Sequence, residues 1–170
     1  MSEPQFDTLT LRESFRKADL FEKLALGLSS WFGAGLMPVA PGTFGTLTAL
    51  PLVIVMNGIG GFYETLFLIF FILIAIWSSG LSEKLLGRND PQEVVIDEVA
   101  GFLLTMLFLS SSWLTLSLGF VLFRFFDILK PFPIRRLERK VKGGIGVVLD
   151  DLLAGIYANF CLRLIILWIY

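Results

Sequence analysis

The chain contains no histidine and a single cysteine. The first absence removes Ser–His and Cys–His nucleophilic systems, phosphohistidine chemistry and imidazole metal sites. The second excludes an internal disulfide and any Cys-x-x-Cys metal motif. Cys161 stands in an apolar run, ANFCLRLIIL, and a cysteine-phosphatase loop built on it would need Arg at position 167, which is Leu167. It reads as a small buried apolar residue. Charge is scarce as well. Only 17% of the 170 residues are charged, against about a quarter in an average soluble domain. Any catalysis is therefore left to carboxylates, Lys and Arg, hydroxyls and backbone, together with a hard cation.

What is present is apolar surface. Hydrophobic residues make up 55% of the chain, mean hydropathy is +0.77 and the formal net charge is −1. This excludes a disordered chain, a secreted disulfide scaffold and a basic nucleic-acid binder. It points to a small all-α polytopic membrane protein with about four to five membrane-inserted helices, some broken or re-entrant. Residues 1–23 are polar and mixed in charge, without the apolar core of a cleavable signal. They read as a cytoplasmic or interfacial segment ahead of a membrane-embedded catalytic domain over 24–170.

From Leu24 to Ser82 there is no Lys or Arg, and Glu64 is the one acid. Residues 43–58 read as a helix kinked near Pro51, and 62–79 as a near-complete span. A polar loop over 80–98 follows. Residues 99–129, interrupted by Ser110-Ser111-Ser112, read as an antiparallel pair turning near the far interface. Residues 152–170 read as a last apolar helix. Six of the 14 basic residues lie in 130–142 and four more in 12–23. The positive-inside rule places both segments and the 80–98 loop in the cytoplasm. The Asn57–Gly61 turn, the serine turn and the C-terminus then lie outside.

Four short constellations carry chemistry. In the first, GLMPVAPGTFGT (35–46), Gly and Pro impose irregular backbone just before a helix, where bare N–H groups can hold a phosphate and Thr43 and Thr46 add hydroxyls. A re-entrant turn explains the same residues. In the second, DEVAG (97–101), two carboxylates open an apolar run. Capping against the helix dipole explains one acid better than two, and Gly101 one turn on permits close helix approach. In the third, Arg124, Asp127 and Lys130 recur at i, i+3, i+6 among Phe, Ile and Leu, sharing one helix face that Pro131 ends. Ionisable groups in such a setting usually face a cavity and have a function, although an internal ion-pair ladder accounts for the spacing too. The fourth, GGIGVVLDDLLAG (143–155), repeats the second: an acidic doublet, then small residues a turn later, with upstream glycines that let backbone approach a ligand.

All four fall on the same cytoplasmic side. Asp97, Glu98, Asp127, Asp150 and Asp151 can converge there, and that many acids repel unless a cation neutralises them. An all-oxygen ligand set suits Mg²⁺. Basic residues beside it suggest a phosphate ligand. The substrate is then a phosphorylated, membrane-resident molecule met at the inner leaflet.

The blocks GLMPVAPGTFGTLTALP (35–51), DEVAG (97–101), FRFFDILKPFPI (123–134) and GGIGVVLDDLLAG (143–155) resemble, in order and spacing, the signature blocks of the phosphatidylglycerophosphatase A family. The resemblance covers roughly residues 24–160. It implies a bacterial inner-membrane lipid phosphatase of phospholipid biosynthesis that converts phosphatidylglycerophosphate to phosphatidylglycerol and inorganic phosphate with Mg²⁺. On that basis Asp97, Glu98, Asp150 and Asp151 are expected to hold one or two Mg²⁺ ions. Arg124 and Lys130 bind the terminal phosphate, with Gly42, Thr43 and Thr46 completing the cradle. Asp97, Asp127 and Asp151 are the catalytic acids, Asp127 as metal ligand or general base. Arg135, Arg136, Arg139, Lys140 and Lys142 are expected along the anionic headgroup layer of the surrounding membrane lipids, worth about 1 kcal/mol each. Three other readings compete, one of them a purely structural membrane module, against which the density of ionisable groups at one interface argues. A phosphotransferase using a nucleotide-activated alcohol would carry the DGxxAR and GxxxDxxxD array, which is absent. A small ion transporter or assembly subunit leaves the Arg124–Asp127–Lys130 face and the Pro-Gly-Thr loop unexplained.

Overall fold

The computed structural model describes residues 10–169, apart from the side chains of 138 and 139. The expectations for residues 1–9 and for Arg139 lie outside the described residues. Those described are all-helical. The helices are α1 (Leu11–Lys17), α2 (Leu20–Ser29), α3 (Pro41–Thr48), α4 (Leu50–Gly58), α5 (Gly61–Leu86), α6 (Ile96–Thr105), α7 (Trp113–Leu129), α8 (Ile134–Lys140) and α9 (Gly144–Ile169), with a 3₁₀ turn at Ala34–Leu36.

Two of these helices, α5 and α9, are long and apolar enough to cross a membrane. Each has 26 residues, about 39 Å at 1.5 Å per residue. Both keep an outward apolar face: Leu66, Ile69, Phe70 and Leu73 on α5, and Ile156, Phe160, Leu164 and Leu167 on α9, are exposed. Water disfavours such a face and lipid chains suit it. The other apolar segments are shorter than expected for full spans. Residues 43–58 form two helices broken at Ala49, ahead of Pro51, and 99–129 form the unequal pair α6 and α7. The N-terminal segment does not separate at residue 23. Capping boxes at Thr10 and Asp19 start α1 and α2, and α2 runs through that boundary. Leu11, Ala18 and Leu26 pack with Leu86 of α5.

The short helix α6 ends at buried Thr105 and Met106, where its last carbonyls need partners from the protein. Side chains from three other helices supply the partners. The Asn159 amide donates to the carbonyls of Leu104, Thr105 and Leu107. Arg163 donates to Leu107 O and, through Nε, to Asn159 Oδ1. Buried Glu64 of α5 accepts the Phe108 N–H at 3.0 Å, and Asn57 of α4 donates to Leu109 O and Ser111 Oγ. Two isolated charges of the apolar segments, Glu64 and Arg163, thus serve the 105–112 turn. The Asn57 contact also puts the two expected outer turns at one end of the molecule.

Between helices, small residues set the spacing, as in membranes generally. Gly101 of α6 and Gly155 of α9 cross backbone to backbone. A methyl at Gly155 would lie 2.4 Å from the Gly101 carbonyl oxygen, and one at Gly101 would lie 2.6 Å from the Asp151 carbonyl oxygen. Of the glycines before Asp150, Gly144 does similar work: α9 begins there, packed on the Ile76 carbonyl of α5.

Candidate functional site

The Gly101–Gly155 crossing decides which carboxylates meet. Asp97 precedes Gly101 by four residues and Asp151 precedes Gly155 by four. Residues i and i+4 share a helix face, so the contact that joins the glycines also brings Asp97 and Asp151 together one turn earlier. Glu98 has one more methylene and reaches the same point. One carboxylate oxygen from each of Asp97, Glu98 and Asp151 lies within 4.8 Å of the others. Asp97 and Asp151 are buried and Glu98 is half-buried. Asp97 Oδ1 and Glu98 Oε2 are inaccessible to solvent and accept no hydrogen bond.

The remaining acids turn to cations. Asp150 is offset from Asp151 by about 100° around the helix and accepts a hydrogen bond from Lys130 Nζ. Asp127 Oδ2 lies 2.7 Å from Arg124 Nη1 across one turn of α7. Arg124 Nε is buried with no partner, so the guanidinium keeps an unused donor beside the Nη1 pair with Asp127.

These groups share one cavity of about 440 Å³. Its wall includes Gly42, Asp97, Glu98, Arg124, Asp127, Lys130, Asp150 and Asp151. Gly42 faces Glu98 and Arg124 so closely that a methyl there would stand 2.0 Å from Glu98 Oε1 and 3.2 Å from Arg124 Nη1. Two expected cradle residues fall elsewhere. Neither Thr43 nor Thr46 lines the cavity, and the Thr46 hydroxyl is buried and donates to Gly42 O at 2.8 Å. The helix wall of α3 therefore enters through Pro41 and Gly42. The stretch Asp90-Pro91-Gln92 completes the rim and was not singled out from the sequence. Its signal was its place in the polar loop just before DEVAG.

Three of the six positive-φ non-glycine residues described lie here. Ala40, Asp90 and Lys130 have φ of 47°, 46° and 42°, left-handed values that cost a non-glycine residue about 1–2 kcal/mol. All three line this cavity. Such conformations cluster at functional sites, where the surrounding structure holds them.

The electrostatics are those of a buried anionic cluster. Asp97 and Glu98 sit on the short helix α6, outside the two membrane-length helices. Burial, and next the Glu98 carboxylate, push Asp97 well above the usual carboxylate range. Burial also raises Glu98. A cation between them favours the ionised forms. The donor set fits a hard divalent ion: all ligand atoms are oxygen, and two buried oxygens lack partners.

A sequence model of the family described as phosphatidylglycerophosphatase A matches residues 27–166. The chain belongs to the phosphatidylglycerophosphatase A family. A Haemophilus influenzae protein named phosphatidylglycerophosphatase A is 37% identical over 164 residues, 94% of this chain and 99% of the relative. An Escherichia coli protein of the same name is 36% identical over 130 residues, 76% of each chain. A Bacteroides thetaiotaomicron protein, named provisionally as a phosphatidylinositol-3-phosphatase, is 35% identical over 151 residues, 84% of this chain and 92% of the relative. No solved structure matches. For the phosphatidylglycerophosphatase A family, a phosphatase family, the cavity between α3, α6, α7 and α9 is the candidate active site of this member.

Proposed function

We propose that this chain hydrolyses the terminal phosphomonoester of phosphatidylglycerophosphate at the cytoplasmic face of a bacterial inner membrane, as a step of phospholipid biosynthesis, with Mg²⁺. The observation that carries the reading is the meeting of Asp97, Glu98 and Asp151 beside a buried guanidinium whose Nε–H is unused. Acids alone would repel a phosphate and Arg124 alone would not activate it. Together with a cation they match a phosphoryl group in transfer.

Asp97, Glu98 and Asp151 hold the Mg²⁺, which when bound neutralises phosphate oxygens and polarises water. Arg124 donates Nε–H and Nη–H to the non-bridging oxygens of the terminal phosphate. Asp127, committed to Arg124, fixes the plane of that guanidinium. Lys130, held by Asp150, adds positive charge on the α7 side. Gly42 keeps the α3 wall near enough to exclude bulk water while leaving room for Glu98. Water attacks phosphorus, the bond between phosphorus and the glycerol oxygen breaks, and phosphatidylglycerol leaves as the alcohol. The loose transition state of a phosphomonoester needs positioning and charge neutralisation more than a strong base, which suits a site without histidine. The basic segments at 12–23 and 130–142 support the cytoplasmic placement.

The test is phosphate release by the purified protein in detergent from phosphatidylglycerophosphate, with and without Mg²⁺. Phosphatidylinositol 3-phosphate is the comparison substrate, because one relative carries that headgroup in its name. Mg²⁺-dependent release from the first lipid supports the reading. Release from the inositol lipid alone replaces the substrate. No release from either returns the transporter or subunit reading. An acid-stable, alkali-labile phosphoenzyme would contradict direct attack by water.

A further inference from the structure

A second cavity of about 620 Å³ adjoins the candidate active site and shares Asp90, Lys130 and Asp150 with it. Its far wall carries Arg135 at the start of α8 and Lys142 just before α9. Both were expected in the headgroup layer, and the structure divides that basic segment. All four are exposed, but Arg136 lies over the Phe132 ring at 5.0 Å and Lys140 does not line this cavity, while Lys142 and Arg135, which also donates to Leu129 O at 3.3 Å, do. Three acids, Glu83, Asp90 and Asp150, lie in the wall too, and each is engaged. Glu83 accepts the Asp90 backbone N–H at 2.9 Å, and Asp150 accepts from Lys130.

On its other side the second cavity continues, through Glu83, Asn89 and Gly143, into a groove of about 960 Å³ floored by Phe21, Trp77 and Leu81. Three compartments therefore lie in series. One holds carboxylates and Arg124, the next holds two further cations beside Glu83, Asp90 and Asp150, and the third is mainly apolar, with Glu83, Lys84 and Arg88 on its wall, and opens between α2 and α5.

Resting on the phosphatase reading above, we infer that Arg135 and Lys142 bind the bridging phosphodiester of the lipid while its terminal phosphate occupies the carboxylate cavity. A two-phosphate lipid has the same order of chemistry: a phosphomonoester, three carbons, a singly charged phosphodiester and then apolar chains. Arg135 and Lys142 are on this account specificity-determining residues. They select lipids with a second phosphate and take no part in bond breaking.

The two reaction products probe the two cavities separately. Inorganic phosphate resembles only the monoester, and phosphatidylglycerol carries only the diester. The experiment measures KM and kcat for phosphatidylglycerophosphate, and inhibition by each product, in the wild type, Arg135→Ala/Lys142→Ala and a charge control, Lys140→Ala. The double variant is expected to raise KM and the inhibition constant of phosphatidylglycerol about tenfold or more, as loss of charge-assisted contacts does. Its kcat and its inhibition by inorganic phosphate should stay within about twofold, and Lys140→Ala should match the wild type. Equal KM in double variant and wild type overturns the inference, as does an equal shift in Lys140→Ala, which would mean general attraction to the headgroup layer. If the wild type hydrolyses no phosphatidylglycerophosphate, the functional reading fails instead. Titration of short-chain phosphatidylglycerol into wild type and double variant in zwitterionic detergent then reads the second cavity alone, and equal binding by both overturns it.

Discussion

Gly42→Ala tests the site without altering a single charge. The added methyl would stand 2.0 Å from Glu98 Oε1 and 3.2 Å from Arg124 Nη1. The Glu98 carboxylate must retreat by about 1.4 Å to reach ordinary contact, and it is the free end of a flexible side chain, so the fold can absorb the change. The site cannot, because a shift of about 1 Å in a reacting constellation costs roughly a hundredfold in rate. The variant should therefore elute and melt like the wild type yet release phosphate about a hundredfold more slowly, with a weaker response to Mg²⁺. Glu98→Asp withdraws the carboxylate by one methylene. In the Gly42→Ala background it should restore about tenfold, although alone it lowers activity, a sign reversal that only direct contact produces. Full activity in Gly42→Ala would refute the placement of Glu98 in the reacting centre.

Other outcomes follow from the same geometry. Asn159→Leu removes the donor for Leu104 and Thr105 carbonyls and should destabilise the protein by about 1–3 kcal/mol. This is read as a lower melting temperature in detergent with turnover per folded molecule retained. Asp127→Asn frees Arg124 from its 2.7 Å partner and should lower kcat/KM about tenfold, with partial recovery in Asp127→Glu. Mg²⁺ at about a hundred times its Kd should stabilise the folded protein by about 2.7 kcal/mol. That thermal shift needs no substrate and should vanish in Asp151→Asn.

The motifs were legible because each sits where local chemistry is unusual for its setting: acids opening apolar helices, a basic residue among phenylalanines, Pro and Gly ahead of a helix. Their meeting was legible from the number of acids that needed one cation. The pairing inside each doublet was not read, although the signal is present, since both Asp97 and Asp151 stand four residues before a glycine. That register separates Asp151 from Asp150. The end of α6 had no local signal at all. GFLLTMLFL reads as continuous helix, and it stops at Thr105 because Asn159, Arg163 and Glu64, remote in sequence, supply partners for the turn. Thr46 misled for a general reason. A threonine inside a helix can satisfy its hydroxyl on the carbonyl four residues back, as it does on Gly42. The basic segment was read as uniform because composition carries no direction. Only the turn at Lys130–Pro133 shows which of its residues face the cavities.

The most direct test compares Asp150→Asn with Asp151→Asn in Mg²⁺ activation curves for phosphate release from phosphatidylglycerophosphate. The two changes are chemically identical and adjacent in sequence, so nonspecific damage affects both alike. Asp151→Asn should lose turnover by about a thousandfold or more at every Mg²⁺ concentration, as expected when a metal ligand at the reacting centre is removed. Asp150→Asn should keep the wild-type Mg²⁺ midpoint and lose mainly in KM, through Lys130. Equal loss in both, or the reverse order, would contradict a reacting centre built from Asp97, Glu98 and Asp151.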